Sequence, residues 1–244
     1  MSLATAAALI IGNEILTGKI ADKNLSTLAT RLRRLGVRLV RAHTILDHID
    51  TIATEVDMLR KSHTWVVTSG GVGPTHDDVT IEAVAKAFDR DVIVSEELET
   101  LLKTAYGERL TEGHLLMARV PRGARLVSAE DVPWPVVVCE NVFVLPGVPE
   151  IFQLKMKIVE KEIGQGDAFH TVAVLVNADE GPLKPYIDRA AAIDAAIEVG
   201  SYPRWTDPEW RTKITFDGRD LTALEAARAS FIASLPSTMA SRVE

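Results

Sequence analysis

The sequence predicts an α/β protein with a mostly parallel sheet covered by helices on both faces, followed by a small α+β domain. Strand and helix patterns alternate at short, regular spacing as far as residue 106, and the pattern changes after the segment GQGDA at 164–168. Regular alternation is typical of a parallel sheet whose crossovers are helices. The sequence therefore predicts a first domain at 1–164 and a second at 168–244.

The elements of the first domain each have their own signal. The run AAALIIG at 6–12 is continuously apolar, as in strands buried on both faces. Leucines recur at helical spacing between 25 and 35, with Asn24 as a candidate N-cap and Gly36 as a candidate stop. The same criteria predict further strands at 37–45, 64–69 and 91–95, and further helices at 49–59, 81–88 and 96–106.

The later elements complete the first predicted domain and form the second. Strands are predicted at 135–140 and 142–147, and because they are too close for a helical crossover, one of them should pair antiparallel. A helix at 150–163 closes the first domain. After the linker, the patterns predict a βαββα unit: a strand at 170–176, a helix at 183–198, strands in VGSYP and at 211–216, and a last helix capped by Asp220.

Composition restricts the classes of function. The chain has 244 residues, 47% apolar and 25% charged, with a net charge of −7. Because general binders of nucleic acid or anionic membranes are usually basic, we expect neither partner. The single cysteine, Cys139, excludes a disulfide framework and a cysteine-based zinc site. With no basic leader segment and no apolar run of membrane-spanning length, a cytoplasmic protein is expected.

The segment TSGGVGPTHDDVT at 68–80 is the strongest candidate for a binding site. Gly70, Gly71 and Gly73 follow a strand directly, so the loop can bring backbone N–H groups close to an anion such as a phosphate. Ligands of open α/β sheets bind beyond the carboxyl ends of the strands, where this loop lies. The alternative is a tight turn whose glycines serve only the backbone. Neither a Walker A motif nor a G-x-G-x-x-G fingerprint is present.

Acidic residues follow the first three predicted strands. Glu14 comes after the first, Asp47 after the second, and Asp77 and Asp78 after the glycine loop. Acids beside a phosphate repel it unless a cation bridges the two, and Mg²⁺-type ions bind carboxylates and phosphate oxygens together. These four acids are therefore candidate ligands of a divalent metal (Mg, Mn or Co). The alternatives are helix N-caps and solvated loop residues.

The ordered set of motifs resembles a known family. GNEILTG (12–18), SGGVGPTHDDVT (69–80), MARVPRGA (117–124) and LPGVPE (145–150) are similar to the MoaB/Mog-type molybdopterin-binding fold. They are more similar to the amino-terminal branch of the competence/damage-inducible protein CinA and to the molybdopterin-binding-like domain of FAD synthases. The tail, with EGPLKPYID and GSYPRW, resembles the small domain that follows in this branch. The resemblance implies a three-layer αβα domain with its site at the glycine loop.

The resemblance also implies a function. Mog proteins bind and adenylylate molybdopterin, and the CinA branch is associated with metal-dependent hydrolysis of ADP-ribose or FAD-like pyrophosphates. Two acids of the Mog site match Asp47 and Asp78. The expected protein is thus a divalent-metal-dependent, ADP-ribose-type pyrophosphohydrolase with Asp47 and Asp78 as catalytic residues. The residues expected to bind the phosphates of the ligand are Gly70, Gly71, Gly73, Thr75 and Gly147.

The sequence also allows two other functions. One is a molybdopterin- or nucleotide-binding protein without turnover, and another is a structural subunit whose site is vestigial. For the hydrolase and for the binding protein, the expected partner is a small nucleotide or pterin. The family suggests a homodimer or homotrimer. The 244 residues show neither the deamidase domain of full-length CinA nor the adenylyltransferase domain of FAD synthase, so neither activity is expected.

Overall fold

The apolar run near the start of the chain forms a central, buried strand. In this computed structural model, which describes residues 4–244, strand β1 spans Thr5–Ile11 and is buried from Ala6 onward. Successive side chains of a strand point to opposite faces of its sheet. The first core contains Ala6, Ala8 and Ile10, and the second contains Ala7, Leu9 and Ile11. The sheet is therefore covered on both faces.

The other strands of the N-terminal part include both parallel and antiparallel pairs. They are β2 (Arg38–Ile45), β3 (Trp65–Ser69), β4 (Val92–Val94), β5 (Arg119–Pro121), β6 (Arg125–Val127), β7 (Val136–Cys139) and β8 (Val142–Leu145). Among the described residues, six strands form one sheet in the order β2-β1-β3-β8-β7-β6. The first four are parallel, whereas β7 runs antiparallel to β8 and β6 antiparallel to β7. The predicted antiparallel pair is confirmed.

Helices pack on both faces of this sheet. They are α1 (Asn13–Leu16), α2 (Asn24–Arg34), α3 (Ile49–Ser62), α4 (Thr80–Ala87), α5 (Glu96–Tyr106), α6 (Glu112–Leu116) and α7 (Pro149–Ile163), with a 3₁₀ turn at Gly107–Arg109. Buried residues of α2 and α7 belong to the first core, and those of α3 and α4 to the second. The predicted three-layer αβα architecture with a mostly parallel sheet is confirmed.

The prediction that 91–95 adds a fourth strand to the main sheet is wrong. Strand β4 instead pairs antiparallel with β5 in a separate two-stranded sheet. Ile93 packs there against a small apolar cluster that includes Leu98, Leu102 and Val120. Because the segment 107–127 showed no clear periodicity in the sequence, its helix α6 and its strands β5 and β6 were not predicted. Because β5 lies in this segment, β4 pairs with it and not with a strand of the main sheet.

The C-terminal part is a small α+β domain, as predicted. Its elements are β9 (His170–Val176), α8 (Glu180–Ala191), β10 (Glu198–Pro203), β11 (Thr212–Gly218), α9 (Leu221–Ser234) and β12 (Ser241–Val243). The strands form an antiparallel sheet in the order β10-β11-β9-β12, so β12 extends the predicted βαββα unit. Helix α8 begins and ends earlier than the predicted 183–198. Asp220 caps α9 by accepting hydrogen bonds from two backbone N–H groups, as predicted.

Each part of the chain has its own core. The described residues divide into two compact units, and the boundary along the chain falls between Gly166 and Asp167, inside the predicted linker. In the second unit the rings of Phe216 and Phe231 pack edge to face, 5.7 Å apart. No helix within residues 4–244 combines the length and the apolar composition that crossing a membrane requires.

A fragment ending at Gly166 is expected to fold alone. Both cores of the main sheet lie wholly within it, and domains with their own core generally fold as units. Gly166 is retained because its backbone N–H donates to the carbonyl of Leu35, at 3.2 Å. Circular dichroism should show one cooperative melting transition. A fragment that aggregates or melts without cooperativity would contradict this division of the chain.

Candidate functional site

The glycine loop lies where the strand order reverses. From β1 the chain crosses to β2 on one side, and from β2 it returns past β1 to β3 on the other side. Ligands of open α/β sheets bind in the crevice beyond the carboxyl ends of the strands at such a point. The chain leaves the end of β1 at Gly12 and the end of β3 at Gly70. The fold therefore places the predicted loop at a favourable binding position.

Two glycines of the loop are required by its geometry. Gly70 has φ of 110°, and a Cβ atom there would lie 2.1 Å from the backbone oxygen of Ile11. Gly71 has φ of 66°, and its Cβ would lie 2.4 Å from the hydroxyl oxygen of Thr80. L-residues with a side chain are disfavoured at such φ values. The absence of a side chain lets the loop backbone press against both the end of β1 and the start of α4.

Buried Thr80 ties the loop to the following helix. Its hydroxyl donates to the carbonyl oxygen of Gly70 at 2.8 Å, and its backbone N–H donates to the carbonyl oxygen of Gly71 at 3.0 Å. Both glycine carbonyls are thus occupied by α4. These contacts give the loop a fixed shape before any ligand arrives, which lowers the entropy cost of binding.

The other two predicted glycines are also sites of close approach. A Cβ on Gly73 would lie 2.6 Å from Oδ2 of Asp78, so the loop folds back onto this acid. A Cβ on Gly147, which follows β8, would lie 3.3 Å from the Cα of Gly70. The structure therefore brings the segments after β3 and β8 together.

Asn24 belongs to this site, and its prediction as an N-cap is wrong. The carboxylate of Asp22 accepts from the backbone N–H groups of Asn24 and Leu25, at 3.1 and 3.0 Å, and provides the cap instead. The buried amide of Asn24 donates to the hydroxyl of Ser69 at 2.8 Å and to the carbonyl of Gly147 at 2.7 Å. It therefore holds the ends of β3 and β8 together from the start of α2.

Asp78 and Asp47 are each held by a backbone N–H group. Oδ2 of Asp78 accepts from the N–H of Thr75 at 2.9 Å, and the Thr75 hydroxyl lies 2.5 Å from the same oxygen. Oδ2 of Asp47 accepts from the N–H of Asn13 at 2.8 Å. Within residues 4–244, the Oδ1 atom of neither carboxylate has a hydrogen-bond partner. Each acid is thus oriented by one oxygen and keeps the other for a ligand.

The remaining candidate acids are Asp77, which precedes Asp78 in the glycine loop, and Glu14, which lies in α1 after β1. Oδ1 of exposed Asp77 is 2.6 Å from the Thr75 hydroxyl, and this hydrogen bond, with one from the backbone, lowers the pKa of Asp77. The carboxylate of Glu14 packs over Gly12, where a Cβ would be 2.5 Å from Oε1. In the part of the chain that the structure describes, no three His, Cys, Asp or Glu side chains form a group able to hold a metal. The four acids therefore do not converge into one cage made by protein alone.

A cavity of about 280 Å³ opens beside the glycine loop. Gly73, Thr75 and Asp78 line it on the loop side, and Glu82 and Arg119 contribute an ion pair. Most of its wall is apolar. The apolar lining residues are Val72, Ile81, Leu98, Leu102, Leu116, Met117, Trp134, Pro135, Val137, Val144, Pro146 and Ile151. A concave, mainly apolar cavity with a few polar groups is typical of small-molecule sites.

Lys155 is a functional candidate that the sequence reading missed. Its half-buried side chain lines the cavity, and its ammonium donates to the carbonyls of Pro135 and Trp134, at 2.6 and 3.3 Å. Burial lowers its pKa from 10.5 to about 8. Lys155 lies between Phe152 and Val159 on the buried face of α7. A lysine within the apolar stripe of an amphipathic helix was the signal that could have indicated it.

Two family models match successive parts of the chain. Residues 7–164, more than half of the sequence, match the family described as a probable molybdopterin binding domain. The chain belongs to this family. Residues 168–244 match the middle domain of FAD synthase. The resemblance drawn from the four motifs and from the tail is confirmed.

Two relatives align with more than nine-tenths of this chain, and a solved structure aligns with two-thirds of it. A protein of Archaeoglobus fulgidus is 33% identical over 222 residues, which are 91% of this chain and 93% of the relative. A probable FAD synthase of Caenorhabditis elegans is 33% identical over 93% of this chain, but this chain spans only 49% of that relative. Among solved structures, the protein CinA of unknown function from Thermoplasma acidophilum is 30% identical, with a TM-score of 0.61, and covers 66% of this chain and 99% of its own.

Proposed function

We propose that the N-terminal unit binds a nucleotide and hydrolyses its pyrophosphate, with a divalent metal and an ADP-ribose- or FAD-like substrate. The observation that carries the proposal is the pairing of the preformed glycine loop with Asp78, whose Oδ1 is left for a ligand. The chain's membership of the molybdopterin-binding domain family and the match of its second part to a domain of FAD synthase support a nucleotide- or pterin-like ligand.

Each residue of the site has a role in this proposal. The N–H groups of Gly71, Val72 and Gly73 bind phosphate oxygens, as backbone N–H groups in tight turns do. In the rest of the 70–75 segment Pro74 has no N–H, and those of Gly70 and Thr75 already donate to the carbonyl of Leu145 and to Asp78. Asp47 and Asp78 fit a metal of the Mg²⁺ type, which takes one or two carboxylates and completes its coordination with substrate phosphates and water. Such an ion, when bound, supplies a Lewis acid at the phosphoryl oxygen. Asp77, which precedes Asp78, and Glu14, in α1, help to hold the ion and to orient the water.

The second candidate function is binding without turnover. It is favoured by one observation, which is that no three potential metal ligands come together within residues 4–244. In a binding protein, Asp47 and Asp78 would accept hydrogen bonds from N–H or O–H groups of a pterin or nucleotide. A structural subunit with a vestigial site is the third candidate, and it would bind none of these ligands.

Hydrolysis and binding assays on the same samples separate the three functions. ADP-ribose and FAD are incubated with Mg²⁺, Mn²⁺ or Co²⁺ and with a chelator, and product formation is followed by chromatography. The proposal expects turnover that the chelator abolishes. A rise in melting temperature with ligand but no turnover would identify the binding protein, since a ligand of the native state raises its stability. A protein showing neither effect would have a vestigial site.

A further inference from the structure

We propose that Lys155 binds a phosphate oxygen of the ligand inside the cavity beside the glycine loop. This inference rests on the proposed function in taking that cavity as the place where a phosphorylated ligand lies. It assigns a second phosphate anchor, on helix α7, to a site otherwise built from the ends of β1, β2 and β3. The anchor is a charged side chain, whereas the loop offers neutral N–H groups.

The ammonium of Lys155 has a donor to spare. An ammonium carries three N–H donors, and Lys155 uses two of them on the carbonyls of Trp134 and Pro135. Within the described residues, no carboxylate lies within ion-pair distance of it. The other cation of the cavity wall, Arg119, is already paired with Glu82. Lys155 is thus the cation of this cavity that a ligand can engage without breaking an ion pair.

Within the described residues, the charge of Lys155 is stabilised by two carbonyl oxygens and by no carboxylate. Burying a charge without a counter-ion is unfavourable. The two carbonyl oxygens carry only partial negative charges, so they offset this cost only in part. Lys161, on the same helix, also donates to a carbonyl, that of Ser128 at 3.4 Å, but its side chain is exposed. An anion placed at Lys155 would offset the unfavourable burial, because opposite charges stabilise each other strongly in a site of low polarity.

This assignment predicts a specific dependence on pH. The other titratable or charged groups that line the cavity are Asp78, Glu82, Tyr106 and Arg119. With a pKa of about 8 in the free protein, the charged fraction of Lys155 falls about thirtyfold between pH 7 and pH 9.5. The affinity for an anion that needs this charge falls by the same factor. Comparing variants at each pH removes the contribution of the other groups.

The test is calorimetric titration of the full chain with phosphorylated and unphosphorylated ligands, in the presence of a chelator. ADP and FMN carry phosphate, whereas adenosine and riboflavin do not. Lys155→Gln keeps a donor for the carbonyls and removes the charge, Lys155→Arg keeps the charge at all pH values used, and Lys161→Gln is the matched control on the same helix. Melting curves of each variant verify folding.

We expect Lys155→Gln to weaken ADP or FMN binding at least about tenfold at pH 7 and to leave adenosine and riboflavin unaffected. The affinity of the unmutated protein for ADP or FMN should fall up to about thirtyfold by pH 9.5, whereas the affinity of Lys155→Arg should not change with pH. This comparison still tests the proposal if the glutamine variant does not fold. Equal losses for the unphosphorylated ligands, or a pH profile shared by unmutated protein and Lys155→Arg, would overturn the proposal. If unmutated protein binds none of the four ligands, this inference fails, whereas the proposed function is decided separately by the hydrolysis assay with ADP-ribose, FAD and a divalent metal.

Discussion

Replacement of Gly70 by alanine is expected to lower the free energy of unfolding of the N-terminal unit by about 3 kcal/mol and to abolish ligand binding. Positive φ disfavours a residue with a Cβ by about 1–2 kcal/mol, and a forced contact in a packed region costs about 1–3 kcal/mol more. The contact here is with a backbone oxygen, that of Ile11, at 2.1 Å. Because a strand cannot move like a side chain, the loop itself must shift.

Gly164 provides the matched control for this prediction. It has φ of 76°, but a Cβ there would have no atom within 4 Å. Gly164→Ala should therefore show only the effect of φ, about 1–2 kcal/mol, and should bind ligand as the unmutated chain does. Thermal melting and ligand titration of both variants measure the difference. If Gly70→Ala is as stable and as active in binding as Gly164→Ala, the close packing of the loop against β1 has no role in the site.

Asp78→Asn and Asp47→Asn should each reduce metal-dependent hydrolysis at least about a hundredfold, a loss of about 2.7 kcal/mol of transition-state stabilisation. In each case the amide keeps an oxygen that can accept the backbone N–H of Thr75 or of Asn13. The fold should therefore survive, while the negative charge that a divalent cation requires is lost. The measurements are the rate on ADP-ribose or FAD and the melting temperature of the same sample.

Asp220→Asn is the control for the loss of a carboxylate. Oδ1 of Asp220 caps α9 by accepting from two backbone N–H groups, and asparagine caps helices about as well as aspartate. This variant should keep both its melting temperature and its activity. Full activity in Asp78→Asn or in Asp47→Asn would remove that residue from the catalytic site. A large fall in melting temperature without a change in rate would mark the acid as structural.

The fold was predictable where local periodicity and packing agree. The continuous apolar run of β1 and the leucine spacing of α2 gave elements within a residue or two of those observed. Segment 91–95 had an equally good strand pattern, but its partner is decided by β5, a segment with no periodicity of its own. Strand partners depend on contacts that are distant in sequence, so the pattern alone could not assign β4 to a sheet.

The site was predictable in its backbone and less so in its side chains. Three glycines after a strand indicate a loop of close approach, and the structure shows such a loop. Asn24 was assigned the common role of an N-cap, because nothing local shows that Asp22 takes this role and frees the amide to reach Ser69 and Gly147. Lys155 lines the cavity and donates to the carbonyls of Trp134 and Pro135, contacts that no spacing rule contains.

The most direct test of the central claim is a crystal structure of the chain with ADP-ribose and a divalent metal ion that does not support turnover. We expect the pyrophosphate against the glycine loop, with phosphate oxygens about 3 Å from backbone nitrogens of residues 71–73 and the ion contacting Oδ1 of Asp78. A pyrophosphate that lies elsewhere on the chain, without a contact to this loop, would contradict it.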